Sequence, residues 1–299
     1  SIAKSWKFDE KLLEYKFILR DDVFFHESDF FENDKKTRRV VASDFIYSFN
    51  RIKDDKFSSP GRWVMDYFLD EYPFQAINDT ILIIRLKDPF PSIINILAMK
   101  YFSVVPKEVV ENQNFSKNPI GTGPFKFKYW MDNVKLVLLK NKLYFEFGEN
   151  YRLPYLDAVN VSFIKNPESL FINFLQSKID FVSGHYPIFQ EEFLTIDGEM
   201  KNKYKKLFFL EKSPYLNTEF LAFNIDKCIQ EQSILANLNI RKALNYSVNK
   251  YEMIKYLRKN MVFPANSGIV PYFLSNYNLN TFPHSLDSAN NLLKIDKPM

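Results

Sequence analysis

Glycine is scarce here, with seven in 299 residues, and cysteine is scarcer still. Cys228 stands alone, which excludes an internal disulfide and any metal site built on several cysteines. The three histidines, His26, His185 and His284, lie in no H-E-x-x-H frame and beside no paired carboxylate, so each reads as a polar surface or loop residue. No serine falls in G-x-S-x-G, and Ser183-Gly184-His185 lacks the orienting carboxylate and oxyanion donors of a triad. No apolar run reaches the ~18 residues of a membrane-spanning helix. Residues 1–4 are no signal peptide, so any targeting segment is expected outside this chain. An excess of one charge is lacking too: 40 basic residues face 36 acidic ones, a balance too even for a nucleic-acid or membrane surface.

What is abundant is aromatic. Thirty-one phenylalanines and 17 tyrosines supply a sizeable core and exclude disorder over most of the chain. Such flat apolar surface also suits clefts that grip ligands, although core packing accounts for most of it. The length suits two domains, or three. The basic run Lys35-Lys36-Thr37-Arg38-Arg39 is balanced by Glu32 and Asp34 and reads as a solvated loop.

Two of the few glycines fall in Asn118-Pro119-Ile120-Gly121-Thr122-Gly123-Pro124. The pattern predicts a tight turn that uses glycine for positive φ and proline to fix the exit. Alternating residues from Phe125 to Trp130 then predict a strand, and a second from Val134 to Leu139 completes a hairpin. A phosphate loop is a poor fit, because proline and a strand follow where Lys, Ser/Thr and a helix belong.

Elsewhere strands are predicted at 13–19, 81–86 and 159–163, with short ones at 179–182 and 220–223. Phe45, Ile46, Phe49 and Ile52 recur at helical spacing, with Ser43 or Asp44 placed to cap. Asn166-Pro167, Asn237 and the Asn249/Glu252 pair mark three more helix starts. Glu191-Glu192 falls on a polar helix face, and Arg241 reads as a structural ion-pair partner. Strands alternating with helices argue an α/β fold.

Several of these segments, in order, resemble one family: the oligopeptide/dipeptide-binding class (family 5) of extracytoplasmic solute-binding proteins, which serve ATP-driven ABC importers. Residues 17–26, FILRDDVFFH, resemble its F-x-L-R-x-G-V-x-F-H strand. Residues 41–51 resemble T-A-x-D-V-x-Y-S-x-x-R, and 104–108 resemble I-V-P-K-E. The glycine turn with Pro124-Phe125 matches P-V-G-T-G-P-Y/F almost throughout. Tyr155-Leu156-Asp157, Ile179-Asp180, Phe223-Asn224, residues 240–244 and Val248-Asn249-Lys250 resemble Y-L-D, G-x-I-D, F-N, V-R-Q-A-L and I-D-R. Spread over nearly the whole chain, the set is specific where each piece alone is weak. There are departures. Asp22 stands for Gly, Glu27-Ser28 for D-G, Val41 for the capping Thr, Ser177 for a helix-ending Gly and Asn249 for Asp. They bear on local turns; a left-handed Ser177 would be strained.

The resemblance implies an α/β, periplasmic-binding-protein type II-like two-lobe fold, present in part. Residues 1–118 would be an insert subdomain of the first lobe, 119–220 the first-lobe core and 221–299 the start of the second lobe. It implies no catalysis and no cofactor. The lobes would close on a solute, a peptide or another small molecule such as a nickel chelate, haem or an oligosaccharide, and present a surface to a membrane permease. A non-transport surface or signalling role on the same fold is the other alternative. The expected location is periplasmic or cell-surface, with the membrane met only through a lipid anchor outside this chain. By analogy of fold, the expected ligand contacts are Ser183, Gly184, His185 and Tyr186, with Tyr215, Asn217, Thr218 and Phe220.

Overall fold

The computed structural model describes residues 1–184, 186–213, 215–266, 268–271, 274 and 282–295. The chain forms two compact units, residues 1–164 and 165–299.

In the first unit, β1 (Ala3–Asp9), β2 (Glu14–Leu19), β3 (Phe74–Asn78) and β4 (Ile81–Arg85) make an antiparallel sheet in the order β1-β2-β4-β3. Alternation sets its faces: Tyr15, Phe17 and Leu19 of β2 are buried, whereas Lys16 and Ile18 between them are exposed. Helix α1 (Ala42–Lys53) packs on β3 and β4, with Phe49 and Ile52 in the core. Phe74 and Phe102 meet the Phe49 ring edge to face at centroid distances of 5.2 and 5.0 Å. Short helices α2 (Ile93–Leu97) and α3 (Lys107–Asn112) follow. A second core gathers Val23, Phe25, Phe31, Val40, Val104, Val109 and Phe145.

Two expectations change at the start of α1. The helix begins two residues earlier than a Ser43 cap would set it, after Val41, so Ser43 is not its cap. Asp44 reaches back instead, its Oδ2 accepting the Val41 N–H at 2.9 Å. Asp44 is buried, and a buried carboxylate needs a partner. Arg38 supplies it with a fork of Nη1 to Oδ2 at 2.9 Å and Nη2 to Oδ1 at 2.7 Å. The same guanidinium donates to Glu108 through Nε and Nη2, at 2.6 and 2.8 Å, and lies over the Phe25 and Phe31 rings. The 35–39 run is therefore no uniform solvated loop: Lys35 and Lys36 face solvent, but Arg38 is an anchor of the second core.

The hairpin forms as predicted, from β5 (Phe125–Met131) and β6 (Lys135–Lys140), with β7 (Ala158–Ser162) completing an antiparallel sheet β5-β6-β7. The turn that enters it does not use glycine's conformational freedom. Positive φ belongs to Gly184, Gly198 and Gly268, and neither Gly121 nor Gly123 adopts it. A Cβ on Gly123 would meet nothing within 4 Å, and one on Gly121 would lie 4.0 Å from His26 Cε1. Hydrogen bonds hold the turn instead. Gly123 O lies 2.9 Å from both His26 Nε2 and Asn141 Nδ2, and His26 N–H donates to Gly121 O at 2.8 Å. His26 is thus buried, contrary to its surface reading.

In the second unit, α4 (Pro167–Leu175) and α5 (Pro187–Phe193) are followed by α6 (Ile225–Gln230), α7 (Leu238–Ser247), α8 (Lys250–Arg258) and α9 (Leu286–Ile295). The three asparagine caps are as expected. Asn166, Asn237 and Asn249 side chains accept the N–H groups of Ser169, Asn239 and Glu252 at 2.6, 2.7 and 3.2 Å. Glu191 and Glu192 are exposed on α5. The short strands expected at 179–182 and 220–223 do not form. A strand needs a neighbour for its backbone groups, and among the described residues this unit contains no strand. Arg241 is no ion-pair partner among the described residues. Its Nη1 donates to the Leu235 and Ala236 carbonyls at 2.7 Å each, capping the 3₁₀ turn Ile234–Ala236.

Helix α4 ends with Ser177 at φ 55°. Ser177 N–H donates to Phe174 O and Lys178 N–H to Asn173 O, both at 3.0 Å, the paired bonds of a Schellman end. This left-handed site favours glycine. Ser177→Gly is expected to stabilise the unit by about 1 kcal/mol. A denaturation midpoint that fails to rise would count against it.

Candidate ligand-binding surface

Both groups of expected contacts lie in the second unit. The first follows α4. Ser183 and Gly184 are exposed, and Gly184 sits at φ 131°. That φ is one L side chains rarely adopt, so this position favours glycine, and a Cβ there would also lie 3.0 Å from Tyr186 Cε2. Tyr186 is half-buried and starts α5, its carbonyl accepting the Phe189 and Gln190 N–H groups at 3.1 and 3.2 Å. His185 lies outside the described residues.

A ring cluster fixes this loop from beneath. Phe189 carries Tyr186 at a centroid distance of 5.8 Å and meets Phe171 edge to face at 5.2 Å. Phe193 touches Phe171, Phe174, Phe189, Tyr204 and Phe208 at 4.5 to 6.0 Å. Phe174 stacks on Phe208 at 4.7 Å. The α4 half of the cluster was legible from the stripe Leu170, Phe171, Phe174, Leu175. Phe189 and Phe193 carry a signal of their own, an i, i+4 aromatic pair on a Pro-started helix.

The second group is the segment 215–220. Tyr215 is 82% exposed and Phe220 62%, so neither is core. Asn217 N–H donates to Tyr215 O at 2.8 Å, making a tight bend; its side chain faces solvent, and Thr218 is half-buried. Glu219 pairs with Arg258 at the end of α8 and ties the segment down. Thirty-nine positions separate that pair, and no local pattern announces it. Among the described residues, no hydrogen bond or ring contact joins the two groups. An open recess of about 600 Å³, lined by Met200, Phe208, Phe209 and Lys212 among others, includes none of the described candidates.

Among the described candidates the exposed groups are hydroxyls, one amide, aromatic faces and irregular backbone. They are neutral donors and acceptors beside flat apolar surface, chemistry that binds by shape and hydrogen bonding. No group of three His, Cys, Asp or Glu is placed to hold a metal ion among the described residues. No helix among them is long and apolar enough to cross a membrane.

Residues 1–296 match the family model described as bacterial extracellular solute-binding proteins, family 5 Middle. The chain belongs to this family. The oligopeptide-binding protein OppA of Bacillus subtilis is 24% identical to this family 5 chain over 277 residues, 86% of this chain and 46% of that protein. Among solved structures, the ABC transporter-associated periplasmic binding protein DppA from Helicobacter pylori, in complex with peptide STSA, is 25% identical. The likeness has a TM-score of 0.74 and covers 99% of this chain and 56% of that one. NikZ from Campylobacter jejuni, in complex with Ni(L-His), aligns with a TM-score of 0.70 at 24% identity, over 99% of this chain and 54% of that one. The family 5 chain thus has the mixed α/β fold of periplasmic binding proteins, in part, and spans about half the length of the relatives it matches.

Proposed function

We propose that this chain is part of the extracytoplasmic solute-binding component of an ABC importer, and that its solute is a peptide. The observation that carries the reading is the likeness over 99% of the chain to a peptide-bound, transporter-associated binding protein. The exposed surface supports it: peptides are held through their main chain, and neutral hydroxyls and amides are groups that do this. Ser183, Gly184, His185 and Tyr186, with Tyr215, Asn217, Thr218 and Phe220, are the proposed contacts. The proposed division of the lobes is 1–118 for the insert, 119–220 for the first-lobe core and 221–299 for the start of the second. Capture proceeds by lobe closure, which presents the loaded protein to the permease. The protein works outside the cytoplasm, held by a lipid anchor beyond this chain, and is not an enzyme.

A second reading, a nickel chelate as solute, is favoured by the similarity to NikZ. A thermal-shift series with the full-length protein separates the two. At a hundred times Kd, a bound peptide contributes about 2.7 kcal/mol and raises Tm by about 2–3 °C in a protein about twice this length. Response to Ni(L-His) alone, with a varied tri- to pentapeptide library silent, selects the chelate; silence to both removes both readings.

A further inference from the structure

His26 is wedged between two backbone groups that make opposite demands. Its Nε2 lies 2.9 Å from Gly123 O, an acceptor, and so carries the proton. Its Nδ1 lies 3.4 Å from Gly121 N, whose N–H donates, and so carries none. Only the neutral Nε2–H tautomer satisfies both. The ring is buried, and the backbone N–H of the same residue donates to Gly121 O at 2.8 Å. Three bonds thus converge from one residue onto the turn that feeds β5. On the other side, Phe25 N–H donates to Arg38 O at 3.0 Å and Val40 N–H to Val23 O at 2.9 Å, fixing residues 23–26 to the second core.

We propose that His26 is a proton-released latch: neutral, it staples the 121–124 turn and the β5–β6 hairpin to residues 23–26, and on taking a second proton it lets go. The reason is geometric. A proton on Nδ1 would face the Gly121 N–H, donor against donor, and the imidazolium would be buried without an unpaired anion to meet it. The charged groups facing the ring are Lys126, from β5, and Glu27, beside it in the chain; they pair with each other and span the same joint. Burial holds the His26 pKa below its ordinary value, opposed by the bond to Gly123. The sign follows. A histidine depressed in the folded state contributes its full stability above the unfolded value of ~6.5. That contribution is lost as pH falls from there toward the folded pKa.

Because the chain carries two other histidines, His185 and His284, the test is local. In the full chain, ¹⁵N spectra of the imidazoles should show His26 as the Nε2–H tautomer at pH 7.5. Protection factors of the Gly121 and His26 amides should fall at least tenfold between pH 7.5 and 5. His26→Gln keeps a donor toward Gly123 but cannot titrate, so it should abolish that fall. The proposal is overturned by an Nδ1–H tautomer, by protection that is flat with pH, or by a glutamine variant with the wild-type fall. If the variant does not fold, the wild-type tautomer and protection profile decide alone.

Discussion

Arg38→Met is expected to cost the first unit about 3–5 kcal/mol, the range for removing one partner of a buried ion pair. Methionine replaces the stem volume but leaves Asp44, only 4% exposed, without its cation. Asp44 cannot turn away, since its Oδ2 also accepts the Val41 N–H at the start of α1. The guanidinium also covers the Phe25 and Phe31 rings, so packing is lost with the charge. Glu108 is the outer partner and partly exposed, and Glu108→Gln should cost about 1 kcal/mol or less. Its carboxyl is held below the ordinary value, chiefly by the Arg38 hydrogen bond. Its contribution is therefore complete above the unfolded value of ~4.3 and is lost as pH falls through the folded one. Trp6, Trp63 and Trp130 all lie in this unit, so urea unfolding followed by tryptophan fluorescence reads it selectively. A loss below about 1 kcal/mol for Arg38→Met, or equal losses for both variants, would sink this account.

Phe193→Ala should cost the second unit a similar amount, about 3–5 kcal/mol, as for other fully packed aromatic truncations. Phe193 is 6% exposed and is the common neighbour of α4, α5 and the 204–208 segment. Removing it leaves a cavity beside Phe189, the ring that carries Tyr186, which keeps Phe171 and Phe174 but loses its third supporting ring. Exposed Ile172→Ala, on α4 but off the apolar stripe, should cost far less, within about 1 kcal/mol. Cys228, the sole thiol, lies in this unit and is half-buried, so its labelling along a urea gradient reports the unit's unfolding. If Phe193→Ala and Ile172→Ala shifted the midpoint alike, the ring cluster would not be the core of this unit.

Much of the local structure was legible. Asn166, Asn237 and Asn249 cap the helices they were expected to cap, and the left-handed Ser177 is where a glycine was missed. The β5–β6 hairpin follows the alternation of residues 125–139. The candidate site was legible only as positions. That Gly184 favours the absence of a Cβ follows from its φ of 131°; that Tyr215 and Phe220 are exposed follows from what does not cover them. The strands expected at 179–182 and 220–223 failed for the same reason, because a strand is a property of a pair and not of a segment.

By itself, then, the sequence determined the family, through motifs spread along the chain, and the β5–β6 hairpin, through its alternation; the three asparagine caps and the Ser177 stop were legible because each rests on groups within about four residues of one another. Only the tertiary structure decided that Arg38 serves Glu108 70 positions away, that His26 rather than glycine freedom holds the 121–124 turn across 97, and that Arg241 binds carbonyls and not an acid. Burial makes those choices. A charge or a ring nitrogen takes whichever partner the folded chain brings within reach, and no pattern along the chain specifies that distance.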